Sequence, residues 1–155
     1  MMAMVRGLLV TLLTVLTACS GDPENLEQQI REMLSAGEEV VEARSILTVL
    51  DFIADDYQDK HGRQKKDIQR LVAGYILRNK SIHLLTRVQQ VALNEDKIQA
   101  DVILYVGMAG VPVTSVDQLV PVRADLYRFD LSLKLEDGNW RVASGSWHQA
   151  RLEDF

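Results

Sequence analysis

The chain has 155 residues, 47% hydrophobic and 25% charged, with a formal net charge of −5; this is globular composition with room for one domain. Without Arg6, which lies in a segment that reads as removable, 16 basic side chains face 22 acidic ones. That balance argues against nucleic acid as a partner, because such binding rests on neutralising phosphates, and the single cysteine excludes an internal disulfide or a resolving-thiol mechanism.

Residues 1–18 read MMAMVRGLLVTLLTVLTA. Arg6 supplies a positive start, and residues 7–16 form an apolar run. A membrane span needs about 20 apolar residues, so the run is too short to cross and fits the central region of a secretory signal. It ends in Leu16-Thr17-Ala18-Cys19. Small residues before a cysteine, directly after such a run, resemble the bacterial lipoprotein box. The resemblance implies that residues 1–18 are removed, and that Cys19 takes a diacylglyceryl group on its thiol and a fatty acyl chain such as palmitate on its new amine. One acyl chain holds a protein to a membrane only marginally, whereas two or more hold it firmly. Residues 19–23 would then be a lipidated tether. Ser20, rather than aspartate, follows the cysteine; by resemblance to Gram-negative sorting rules this points to the outer membrane, facing the periplasm.

Helical periodicity dominates residues 24–79. Leu26, Ile30, Met33 and Leu34 fall at i, i+4, i+7 and i+8, one apolar stripe. Pro23 suits the first turn, and Gly37 is expected to kink or end this helix. Ser45 is a suitable cap for a second helix, with Ile46, Leu50, Ile53 and Tyr57 as its stripe. Residues 59–62 read as a loop. Ile68, Leu71, Val72, Tyr75 and Ile76 make a third stripe.

The period then changes to two. A first strand is expected over residues 82–93, with a turn at Asn94-Glu95-Asp96. Ile98, Ala100, Val102, Leu104 and Val106 alternate with polar residues, as do Tyr127, Phe129, Leu131, Leu133 and Leu135. Asp137-Gly138 signals a hairpin, and residues 140–149 form the last strand, where Gly145 suggests a bulge. Residues 107–121 read as a long loop with room for a short strand. Three helices followed by four or more antiparallel strands, each with one apolar face, make an α+β domain over residues 24–155.

The stretches Val49-Leu50-Asp51-Phe52-Ile53-Ala54-Asp55-Asp56-Tyr57, Gly74-Tyr75-Ile76-Leu77-Arg78-Asn79 and Gly138-Asn139-Trp140-Arg141-Val142, leading to Trp147, occur in an order that resembles the nuclear transport factor 2-like superfamily, which includes ketosteroid isomerase and shares a cystatin-like α+β fold. The resemblance implies a strongly bent sheet wrapped around the helices, a cone with a cavity between them. Isomerases, dehydratases, transport adaptors and non-catalytic modules share that architecture, so fold alone does not settle function. Dimers through the sheet are common among them, which makes a homodimer an expected partner state.

Acid–base catalysis of the isomerase kind needs an ionisable group in the cavity and a donor for the developing oxyanion. No such set can be placed residue by residue. His83, Asp101 and His148 are the acid–base candidates, and each has a blander reading: the histidines as surface or hydrogen-bonded groups, Asp101 as a solvated residue on a polar strand face. A register slip of one residue would turn Asp101 inward. His61 falls in a charged loop. The histidines have no metal-ligand spacing, residues 55–62 lack the offsets of a calcium loop, and nothing in the pattern calls for a cofactor. Lys60, Arg63, Lys65, Lys66 and Arg70 form a basic cluster that reads as a solvated helix start or as a contact for anionic lipid head groups. Tyr57, Tyr75, Tyr127 and Trp147 are the pocket candidates.

The sequence therefore leads to a lipid-anchored envelope protein whose domain, without catalysis, binds a small apolar ligand or a protein partner. The alternatives are an acid–base enzyme, isomerase- or dehydratase-like, on a small apolar substrate, and a structural partner of envelope machinery.

Overall fold

A computed structural model of the chain describes residues 22–155; Cys19 and the signal-like segment lie outside the described residues. Helix α1 spans Pro23–Glu42. The Asp22 carboxylate accepts the Glu24 backbone N–H at 3.2 Å, and Pro23 fills the first turn, where no N–H is needed. The helix runs straight through Gly37 instead of ending there. One glycine costs a helix only about 1 kcal/mol, and apolar residues on both sides of it, Ile30, Leu34 and Val41, pack on the core. Arg44 adopts a left-handed φ of 62° after the helix. Its guanidinium donates to the carbonyl oxygens of Ile76, at 2.9 Å, and Asn79, tying the end of α1 to the end of helix α3 (Lys65–Arg78).

The expected second helix is short. Helix α2 covers only Ile46–Val49 and runs into a 3-10 turn at Leu50–Phe52. Ile53 is extended (φ −103°, ψ 129°) and bridges Val142 in parallel. The Ala54 and Gln58 N–H groups donate to the carbonyls of Val142 and Ala143 at 3.0 and 3.2 Å. Helical spacing of Ile53 and Tyr57 was outweighed by these long-range backbone bonds, and both side chains still reach the core.

Four strands follow: β1 (His83–Leu93), β2 (Gln99–Ala109), β3 (Asp125–Glu136) and β4 (Asn139–Gln149). They form one antiparallel sheet in the order β1-β2-β3-β4. Asn94 builds the first hairpin by accepting the N–H groups of Ile98 and Gln99 at 3.0 and 2.9 Å. Asp137 and Gly138, both at positive φ (50° and 78°), make the last, the conformation a tight two-residue turn requires. The register shifts between Val88 and Gln90 and between Ser132 and Leu133. Such bulges bend a strand and raise its twist, so the sheet curves around the helices. The extra residue of β4 is Ala143, not Gly145: Gly145 pairs with Leu131. A Cβ there would lie 3.0 Å from Leu131 Cδ2 and 3.6 Å from the Tyr57 hydroxyl, so Gly145 permits a close approach instead of a bulge.

The alternation places Ala100, Val102, Leu104, Val106, Leu133, Trp140 and Val142 on the concave side, in one core with Leu26, Ile30, Ile53 and Ile76. Ile98 is the exception, half-exposed in the turn just before β2. Residues 110–124 contain a 3-10 turn (Val116–Gln118) and no strand. They fold onto the convex face, where Leu119 seats on Gly107 and builds a second small core with Ala109 and Val113.

Candidate functional site

A cavity of about 400 Å³ lies between α1, α3 and the concave face of the sheet. Helix α1 contributes Leu34, Gly37, Glu38 and Val41; α3 contributes Ile68, Leu71, Val72 and Tyr75, with Arg78 at its end. The floor is Leu84 and Thr86 of β1, Leu104, Val106 and Met108 of β2, Tyr127 and Phe129 of β3, and Trp147 of β4. The walls are almost wholly carbon. Tyr127, Phe129 and Trp147 form a continuous aromatic run, with ring centroids 6.3 and 6.2 Å apart. The guanidinium of Arg63 sits 4.2 Å over the Trp147 ring. Arg63 is in turn held at 2.5 Å by the buried carboxylate of Asp59, which fixes one support of the aromatic floor.

Two polar groups of the cavity, on α1 and β1, meet directly. Thr86 Oγ1 donates to Glu38 Oε2. Burial pushes the Glu38 carboxyl above its ordinary value; the Thr86 hydrogen bond opposes this, and the nearby charges of Glu42 and Glu39 add to the rise. The Tyr75 hydroxyl is raised by burial and then by Asp125 and Tyr127. Glu42, one turn further along α1, accepts the Leu84 N–H at 2.7 Å. A carboxyl whose pKa is raised in an apolar site can give or take a proton or accept from a donor group.

Of the pocket candidates, Tyr75, Tyr127 and Trp147 line this cavity. Tyr57 lies elsewhere, buried in the core, with its hydroxyl at Gly145 of β4. Burial raises its pKa, as does Asp59, while Arg63 and the Gly145 backbone lower it. His83, Asp101 and His148 do not line the cavity. Asp101 is exposed on the convex face, accepting from Ser132 Oγ at 2.8 Å, because Ala100 and Val102 take the inward positions. His148 is exposed opposite Arg128, and His83 stands 3.1 Å from the Ser81 hydroxyl. In the basic cluster, Arg63, Lys65 and Arg70 pair with Asp59, Asp55 and Asp67, so most of its charge is neutralised locally. No group of metal-ligating side chains is present among the described residues, and no described helix is long and apolar enough to cross a membrane.

Glu38 was missed in the sequence because α1 was expected to bend or stop at Gly37. Once the helix continues, Glu38 falls between Leu34 and Val41 on the stripe that begins at Leu26 and Ile30. A lone carboxylate inside an apolar stripe is the signal that would have found it.

No family profile matches the chain, and no curated protein matches its sequence. Solved structures do match its shape. A cystatin-like protein of unknown function from Nostoc punctiforme aligns with a TM-score of 0.58 at 10% identity, covering 80% of this chain and 90% of that one. A protein provisionally named a scytalone dehydratase, from Novosphingobium aromaticivorans, gives 0.61 at 10% identity, covering 81% and 84%. A protein provisionally named a dehydratase of the NTF2-like family, from Streptomyces avermitilis, gives 0.60 at 14% identity, covering 84% and 99%. The likeness is one of fold: helices packed on a curved four-stranded antiparallel sheet.

Proposed function

We propose that the domain binds a small, mainly apolar molecule in the cavity between α1, α3 and the concave sheet, and that it does so as a lipid-anchored protein of the bacterial envelope, attached through Cys19. The observation that carries the binding reading is the composition of the walls: mostly aliphatic and aromatic carbon, with Glu38, Thr86, Tyr75, Tyr127 and the bordering Arg78 as the few polar groups. Small-molecule sites are built this way. The envelope reading, at the outer membrane facing the periplasm, rests on the sequence of residues 1–20 alone.

Gly37 supplies the test. It lies on the cavity wall, and a Cβ built there meets nothing within 4 Å. Gly37→Trp should therefore fill the cavity without a clash at its base. In a thermal-shift screen of apolar small molecules, the unmodified chain should gain Tm with its best ligands, and Gly37→Trp should lose that gain while keeping its own Tm. Equal ligand shifts in both proteins would rule the cavity out as the site.

One observation favours a second reading, an acid–base enzyme on a small apolar substrate. Glu38 is an ionisable group inside the cavity with its pKa raised above the ordinary glutamate value by burial, the direction of shift that favours a general acid or base. Two structures of similar fold bear provisional dehydratase names. Under this reading Glu38 moves the proton and the Tyr75 or Tyr127 hydroxyl faces the developing charge. Turnover abolished by Glu38→Gln, with folding intact, would establish it over binding alone.

A further inference from the structure

Resting on the cavity reading above, we infer that the guest is an amphipathic molecule with a cationic amine head, seated on the free oxygen of Glu38, and an apolar tail laid along Phe129 and Trp147. A carboxylate has about four acceptor positions over two oxygens. Thr86 takes one, on Oε2, and is the only hydrogen-bond partner of Glu38 among the described residues. Oε1 is left for a guest at the wall of a carbon-lined space.

The surrounding charges sort the guests. Glu39 and Glu42 stand beside Glu38 on α1 and act on it with the same sign. From the sheet, the facing polar groups are Thr86 and Tyr127, neither a cation. From α3, Arg78 borders the cavity and is itself exposed, so water screens it. An anionic head at Glu38 would meet three carboxylates. A wholly apolar guest would strip water from a charged group and leave it unpaired, which is costly. An ammonium head pairs with the charge and donates to Oε1. The acidic balance of the whole chain favours cations on approach.

The experiment measures binding of octylamine, octanol and octanoate to the purified full chain by calorimetry at pH 7.5. Octylamine should bind at least about tenfold more tightly than octanoate, with octanol between them, one charge-assisted hydrogen bond being worth about that factor or more. Glu38→Gln should cost the amine about tenfold and change octanol little. The amine's advantage should fade as pH falls toward the ordinary glutamate range and Glu38 becomes neutral. If octanoate binds as well as octylamine, Arg78 selects the head group instead and this inference is overturned while the cavity reading stands. If no probe binds, both fall. The order of the three probes on the unmodified chain decides the matter even should Glu38→Gln fail to fold.

Discussion

Two buried or half-buried carboxylates show how differently one chain treats the same chemical group. Asp59 is 6% exposed, and burial alone would raise its pKa. The backbone N–H and guanidinium of Arg63 and the N–H of His61 outweigh that and hold it low. A carboxylate with a depressed pKa contributes stability that is present above its unfolded value, near 3.8, and lost as pH falls through its folded one. Glu38 has the opposite sign: its raised pKa means that ionisation costs stability as pH rises through the folded value. Asp59→Asn should therefore lower Tm at pH 7, with the gap to the unmodified protein closing below about pH 4. Glu38→Gln should raise Tm at pH 7, with the gain shrinking toward acid. Melting curves of the three proteins between pH 2.5 and 8 check both signs. Asp59 thus acts as a structural acid and Glu38 as one whose place in the cavity costs stability. That difference was not legible in the sequence, where Asp59 read as part of a solvated loop and Glu38 fell beyond the expected end of a helix.

At the scale of elements, the strands were the most legible. Strict alternation from Ala100 to Val106 and from Tyr127 to Leu135 fixes which side chains face inward, and the hairpins follow from Asn94 and from Asp137-Gly138. Helices were less so, because an apolar stripe says that a face is covered but not by what. The stripe of α3 reads as one continuous apolar face, but its members end up in different surroundings. Ile76 enters the core with Ile53, Leu104 and Leu133, while Leu71 is 45% exposed on the cavity wall. Leu133, at 1% exposure, belongs to the packed interior. Leu133→Ala should cost about 2–5 kcal/mol, whereas Leu71→Ala should stay within about 0.5 kcal/mol, both measured by denaturant unfolding. Comparable losses at the two sites would mean that the cavity closes over Leu71 in solution. The early end of α2 had no local signal, since its cause lies in Val142 and Ala143, some 90 residues away along the chain.

For the whole molecule, fold class was readable and the location of the chemistry was only half readable. Three of four aromatic pocket candidates line the cavity, while the ionisable candidates lie outside it and the acid inside it had been passed over. The proposed attachment through Cys19 is tested independently of the fold. Expression of the full sequence in a bacterial host with labelled fatty acid should label the chain and hold it at the membrane, and Cys19→Ala should lose both. Equal label and equal retention in the variant would defeat the anchor while leaving the cavity untouched.

The pairing of residues 53–58 with β4 also bears on the fate of the protein at high local concentration. The outer margin of a sheet presents open N–H and C=O groups that recruit strands from other molecules. Proteins often blunt that margin with lysines, prolines or a very short strand. Here the chain lays its own backbone along it, so the carbonyls of Val142 and Ala143 are already occupied, and the flanking Asp55 and Asp56 are tied down by Lys65 and Lys134. Wherever copies of the chain are crowded together, a neighbour seeking to extend the sheet on this side finds the position already filled.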